Sequence, residues 1–390
     1  MLTEASAAAA IAPLSNEGEL PHRWNELLQS SDANCLFLTW EWINTWWKHL
    51  GGRRKWSVLG VQKDNALTGL APLCTQPRCF RRGQFLHEAV FLGSGLAGAD
   101  YLDMIIRRGH EDQACELLSQ HLVLRKTSAR WNNLCRGASS AEAVARRMQR
   151  KGWSLVEAAV NVCPWIPLHG HTWESYLATL GSEHRYAFNR KWKKLNRDFT
   201  VRLEGVRDPK DCAAAMDTLI RLHRLRWQTR GGSDAFKSTE LMEFHREFAA
   251  VALARGWLRL YQLTVNEKPA AALYGFLYER KFYFFQSGLN PDFEKYSVGL
   301  ILMGLSIRSA IEEGAQEYDL LHGDEVYKRH WARSVRILSR LELYPPGVPG
   351  WSQKWTKRLA RSTGRMLTRG RRRFVEPAGG GSQIAWSETG

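Results

Sequence analysis

Residues 282–332 limit the fold more than any other stretch. Four consecutive aromatics, Phe282, Tyr283, Phe284 and Phe285, read as a buried strand. Gly288, Asn290 and Pro291 follow as a polar loop, and Tyr296-Ser297-Val298-Gly299 opens a helix that is apolar on nearly every side up to Ile307. A helix without a polar face has to be enclosed by other elements. Gly314 stops it, a second strand covers Tyr318 to Leu321, and His322-Gly323-Asp324-Glu325 forms a charged turn. The succession of strand, loop, buried helix and strand predicts an α/β unit. At its helix start, free backbone N–H groups are placed to hold an anion, with titratable groups close by.

Length and composition frame that unit. The 390 residues suit two domains plus tails, and a hydrophobic share of 44% supports real cores and excludes global disorder. Seven cysteines, odd in number and without a C-x-x-C pair, argue against a disulfide framework or a zinc site. No metal is expected. The formal net charge is +16, and nine cations crowd between Trp351 and Phe374 with no acid among them. Such a balance suits polyanions, anionic membranes or an anionic cofactor. The N-terminus lacks the basic n-region of a signal peptide. The longest apolar run, Val298 to Ile307, is about half a membrane span. A cytoplasmic protein is expected, soluble or peripheral.

Four segments follow from the pattern. Residues 1–20 are Ala-rich and read as unstructured, 21–165 as a first domain, 166–344 as a second, and 345–390 as a basic tail. In the tail, Trp351, Trp355, Leu359 and Met366 sit at near-helical spacing among cations. Residues 351–374 therefore read either as an interfacial helix making a peripheral membrane contact or as a solvated tail. Two hairpins look alike: one turns at Asp64-Asn65 and the other at Asn266-Glu267-Lys268. Each half mixes helices with hairpin strands, so the fold class expected is α/β (α+β) in two units.

Several pieces in order then carry a resemblance. They are Trp40-Glu41-Trp42 with Trp46-Trp47, Ala71-Pro72-Leu73, Ala99-Asp100-Tyr101-Leu102-Asp103 and the basic helix from Arg185 to Arg197. Arg226-Trp227, Tyr296-Ser297-x-Gly299, and Asp324-Glu325-x-Tyr327-Lys328 with Trp331 continue the series. Together they resemble the CelD-type acetyltransferases of the GNAT superfamily, associated with cellulose and exopolysaccharide synthesis and related to the FemAB-like tandem-GNAT transferases. The resemblance implies two tandem GNAT-like domains, each a mixed twisted sheet flanked by helices. It implies acyl-CoA (acetyl-CoA) as co-substrate, bound at Tyr296, Ser297, Val298, Gly299 and Leu300, and a hydroxyl or amine of a glycan or glycan precursor as acceptor. The loop departs from the common Gln/Arg-x-x-Gly-x-Gly/Ala pattern. FemAB-like relatives use aminoacyl-tRNA, and this reading ranks charged tRNA behind acyl-CoA. No DNA contact is expected. A non-catalytic accessory protein of a membrane polysaccharide synthase is a third reading.

Acyl transfer needs a base near the nucleophile and donors for the developing oxyanion. Asp324 or Glu325 is the favoured base, with Lys328 four residues beyond Asp324 as a catalytic partner. His322 and Trp331 are candidates for the substrate side. Asp324 and Glu325 read equally well as a helix cap and first-turn acid. Arg226 and Trp227 would clamp a sugar or an anionic acceptor, or pack as a core tryptophan beside an arginine. Arg185, on the basic helix, would line the acceptor or cofactor entrance, or belong to a solvated face.

Overall fold

A computed structural model describes residues 9–79, 85–228 and 235–347. Within these, residues 9–161 and 337–347 form one compact unit and residues 162–336 a second. Residues 337–344, assigned by the sequence reading to the second domain, thus fall with the first unit. The tail, including 351–374, lies outside the described residues.

The first unit begins with β1 (Ala10–Pro13), which the sequence reading places in an unstructured terminus, and continues with α1 (Leu20–Gln29), α2 (Trp40–Leu50) and β2 (Lys55–Trp56). There follow β3 (Leu59–Lys63), β4 (Ala66–Ala71), β5 (Leu73–Cys79), β6 (Phe85–Phe91), β7 (Ile105–Ile106), α3 (Glu111–Arg125), β8 (Ser128–Cys135), α4 (Ser140–Arg150) and the start of β9 (Ser154–Pro167). β1 forms because its backbone pairs antiparallel with β3, while Leu14 covers Gly60, whose absent Cβ would lie 2.6 Å from Leu14 Cδ1. β3 and β4 form the expected hairpin, with Asp64 and Asn65 both at positive φ, as a tight two-residue turn requires. Pro72 marks the point where the chain leaves the β1-β3-β4-β7 sheet and enters the sheet containing β5.

The second unit adds α5 (Trp173–Thr179), α6 (Ser182–Asp198), β10 (Val201–Gly205), α7 (Pro209–Gln228), α8 (Thr239–Ala254), β11 (Leu258–Val265), β12 (Lys268–Tyr278) and β13 (Lys281–Leu289). It ends with α9 (Val298–Glu312), β14 (Glu317–Asp319), α10 (Val326–Trp331) and the start of β15 (Ser334–Tyr344). Its strands run β10-β11-β12-β13-β14-β9, antiparallel except for the parallel pair β13–β14. The aromatic run 282–285 lies inside β13, as its composition predicts. The apolar helix is α9, with ten of its residues buried. Its side chains pack with Leu263, Leu273, Phe282 and Phe284 of the sheet and with Phe188 and Leu195 of α6. A Cβ at Gly304 would stand 2.2 Å from Phe188 Cε2, so α6 rests on α9 through a bare backbone position. Tyr318 ties β14 to α9 by a 2.7 Å hydroxyl contact with Ser306 and stacks on Phe282 at 4.4 Å.

Gly304→Ala should cost about 1–3 kcal/mol of stability through overpacking. Because the clash is with one side chain, Gly304→Ala combined with Phe188→Ala should cost less than the two single variants summed. Urea unfolding of the three proteins checks this.

Candidate active site

The parallel pairing of β13 with β14 is short. It runs through Lys281–Glu317, Phe282–Tyr318 and Tyr283–Asp319, after which β14 ends while β13 continues to Leu289. The residues of β13 beyond the pairing line a cavity. Its walls are Leu273, Phe284, Ser287, Leu289, Gly299, Leu302 and Met303, with Arg226, Tyr327 and Trp331. The cavity volume is about 50 Å³, within a wider cleft of about 460 Å³ that includes open solvent.

A bulge decides which side chains face it. Gly275 pairs with Phe284 but Tyr274 pairs with Gln286, so Phe285 is the extra residue. An inserted residue inverts the alternation of faces. Phe284, Ser287 and Leu289 therefore share the cavity side. On the other side Phe285 meets His245 at 5.1 Å, and Gly288 receives α7 so closely that a Cβ would lie 2.5 Å from His223 N.

The turn after β14 is held by side chains. Leu321 has φ +54°, and its N–H donates to Asp319 Oδ1 at 2.7 Å. The Lys328 ammonium donates to the His322 carbonyl at 2.7 Å and the Leu321 carbonyl at 3.4 Å, and meets Glu325 Oε2 at 2.9 Å. Those three contacts match its three N–H groups, so Lys328 works as a clamp that orients α10. Burial opposes its charge, but the Tyr327 oxygen and the Glu325 carboxylate outweigh it and keep its pKa above the ordinary lysine value. Burial also pushes the Tyr327 phenol up, and Tyr327 lines the cavity. Asp319 and Glu317 both meet Arg336, at 3.2 and 2.5 Å, and that guanidinium lies 4.2 Å over Trp165.

The site residues expected from the sequence separate into two groups. Arg226, Gly299 and Trp331 line the cavity. Arg226 reaches toward Ser287 Oγ at 3.4 Å and lies over Trp227, which stands behind it and outside the lining. Of the five donor-site residues only Gly299 reaches the cavity. Tyr296 packs on Phe199, Ser297 is a left-handed N-cap without a side-chain cap bond, and Val298 and Leu300 are buried. Asp324 is exposed and ion-paired with Arg329, Glu325 holds Lys328, and His322 is an exposed turn residue that contributes its carbonyl. Arg185 lies on α6 and donates to the Ala178 carbonyl at 3.5 Å. Tyr327, Ser287 and Met303 are cavity residues that the sequence reading did not select. The Tyr-Lys pair of α10 was the available signal for Tyr327, whereas Ser287 faces the cavity only because of the bulge. Among the described residues no group of three or more His, Cys, Asp or Glu side chains is arranged to hold a metal, and no helix is long and apolar enough to cross a membrane.

The parallel pair β13–β14 parting over a buried helix belongs to an α+β fold that is broadly GNAT-like. Residues 182–329 match the family model described as an acetyltransferase (GNAT) domain. FemX has a similar structure, with a TM-score of 0.59 at 10% identity over 85% of this chain and 96% of that one. A conserved protein of unknown function from Bacteroides thetaiotaomicron VPI-5482 gives 0.53 at 11% identity, over 86% of this chain and 100% of its own. The C-terminal domain of an Agrobacterium fabrum protein assigned as a lysylphosphatidylglycerol synthetase gives 0.51 at 10% identity, over 83% and 91%. No curated protein matches the chain by sequence. The chain thus has a GNAT-superfamily fold related to that of the FemAB-like transferases. The ranking of charged tRNA behind acyl-CoA does not stand. The similar folds include FemX, of the FemAB-like group that the sequence reading itself ties to aminoacyl-tRNA, and the assigned lysylphosphatidylglycerol synthetase.

Two histidines, half-buried His184 and buried His245, bear on pH. His184 stands edge-on to Trp331 at 4.5 Å. Burial, then the charges of His330 and Arg333, push its pKa from 6.5 to about 4. Burial alone pushes His245, behind Phe285, to about 3. The unfolded chain protonates these rings near 6.5 and the folded chain resists, so stability falls as pH drops from about 6.5 toward 4, with no effect of these groups above that window. Each contributes a slope of at most about 1.4 kcal/mol per pH unit. His245→Leu should flatten the curve between about pH 6 and 4, as read by denaturant titrations across pH.

Proposed function

We propose that the chain transfers a small aminoacyl group from charged tRNA to an amine or hydroxyl, within the cleft opened by β13 and β14. The observation that carries this reading is the parting of those strands over a cavity lined by Arg226 and Tyr327, in a fold shared with FemX. A cavity of about 50 Å³ has room for on the order of four water-sized atoms, which suits a two- or three-carbon acyl group. Met303, Leu302 and Leu273 close it against longer chains.

In this mechanism the acceptor attacks the ester carbonyl. A bond forms from the nucleophile to carbon, the carbon–oxygen bond to the ribose breaks, the nucleophile loses a proton and the ribose oxygen gains one. Arg226 is the cation facing the developing oxyanion. The Tyr327 phenol supplies the proton to the leaving oxygen. Asp324 and Glu325 lie outside the lining, so the acceptor's proton passes to water at the open mouth of the cleft, and Lys328 positions α10 so that Tyr327 and Trp331 face the cavity.

A second reading takes acyl-CoA as donor, with the thioester sulfur leaving. The match of residues 182–329 to the acetyltransferase model favours it. The sequence resemblance supports a glycan or glycan-precursor acceptor under either donor, and the two similar hairpins support a tandem arrangement of GNAT-like halves.

Hydroxylamine can stand in for the acceptor. The protein should accelerate hydroxamate formation from aminoacyl-tRNA above the spontaneous rate. Arg226→Leu should lower that rate by about 100-fold, the scale of losing one oxyanion donor, and Gly299→Trp should abolish it by filling the cavity. No acceleration with any charged tRNA, together with acetyl-CoA binding in calorimetry, would move the assignment to the second reading.

A further inference from the structure

Helix α6 carries a charge pattern that its own stability does not explain. Arg190, Lys191, Lys193, Lys194 and Arg197 occupy two turns. Arg190–Lys194 and Lys193–Arg197 are like-charged pairs at i,i+4, and Arg190–Lys193, Lys191–Lys194 and Lys194–Arg197 are like-charged at i,i+3. Such pairs destabilise a helix. Among the described residues only Arg197 of these five has an ion-pair partner, Asp198. The acids on α6 and on the turn that Lys191 contacts are Glu183, Asp198, Asp292 and Glu294.

The cluster is held in place by packing. Phe188 and Leu195 of α6 are buried against α9, which leaves Arg190, Lys193 and Lys194 exposed. Lys191 Nζ donates to the Lys295 carbonyl at 3.0 Å, tying α6 to the turn that leads into α9. Burial, then Arg190 and Lys194, lowers the pKa of Lys191, the signature of positive charge crowded without a counter-ion.

Aromatic rings are interleaved with these cations. Tyr186 is 64% exposed, with the Arg190 guanidinium 5.5 Å over its ring. Tyr296 has the ammonium groups of Lys194 and Lys295 at 5.5 and 5.2 Å. Tyr296 is followed three residues later by Gly299, which lines the cavity, so at most about 11 Å of chain separates them. Cations spaced along a ridge, with rings on which bases stack, are the means by which proteins hold single-stranded nucleic acid without reading its sequence.

We infer that the ridge formed by Tyr186, Arg190, Lys193 and Lys194 on α6, continued by Lys295 and Tyr296, is the docking track for a single-stranded RNA 3′ end. It lays the phosphates along α6 and delivers the terminal ribose to the opening at Gly299. This rests on the donor reading above and adds where the donor's backbone is held. Phosphates on the ridge neutralise the repulsion along α6, and Tyr186 stacks a base.

The test uses the full chain and a synthetic RNA hairpin with a short single-stranded 3′ end, by fluorescence anisotropy over a range of salt. The triple variant Arg190→Gln, Lys193→Gln, Lys194→Gln should lessen the slope of log affinity against log salt by about two, from three lost single-strand phosphate contacts. Tyr186→Ala should weaken binding by about tenfold, within the range for one stacked base. The triple variant loses like-charge pairs, so it should melt no lower than the parent chain, which separates lost binding from lost folding. RNA binding by the parent chain that the triple variant keeps unchanged overturns the track and leaves the donor reading standing. Failure of the parent chain to bind RNA while it binds acetyl-CoA overturns both. Binding to phosphatidylglycerol vesicles but not RNA also overturns the track.

Discussion

Two parallel strands that stop pairing govern this site. Where β14 ends, backbone groups that a longer strand would have paired with β13 have to be satisfied some other way, because unpaired buried backbone groups are costly. Asp319 accepts from Leu321 N–H, and Lys328 donates to the Leu321 and His322 carbonyls. Two charged side chains therefore take the place of a missing strand partner. The cleft can stay open because its edge is closed chemically, and α10 follows from the same clamp with Tyr327 and Trp331 on the cavity wall.

The elements of the second unit were legible in the sequence because their signals are local. Four aromatics in a row lie inside β13, an all-apolar helix is α9, and Asn266-Glu267 turns a hairpin. The site was less legible because its construction is not local. Phe285 looks like one more strand residue, and nothing in the run 282–289 announces that it is the bulge that turns Ser287 toward the cavity. Lys328 reads as an i+4 partner of Asp324, yet its contacts go back to the carbonyls at 321 and 322 and to Glu325, while Asp324 pairs with Arg329. Arg226 was identifiable as a cation near a tryptophan, but only the crossing of α7 behind Gly288 brings it to the cleft. The five-residue donor site was too broad for a simple reason: a helix start has one inner face, and Val298 and Leu300 spend theirs on the core.

Stability and charge are distributed unevenly over this unit. α9 is apolar on nearly every side as far as Ile307 and derives its place from burial. α6 is its opposite, a helix whose side chains repel one another and which is held by Phe188 against the bare backbone of Gly304. Local preference and global packing disagree at α6, and such disagreements concentrate at working surfaces.

The close approach of α7 at Gly288 has a mechanical consequence. A glycine there lets helix backbone touch strand backbone, with no side chain between them to yield. Arg226, less than one turn further along α7 than His223, is thereby fixed in depth relative to the cleft floor. The reach of the cationic group is set like a stop on a ruler, by atoms that belong to neither partner's side chain. The mouth of the cleft and the back of the sheet are thereby joined through backbone contact at Gly288.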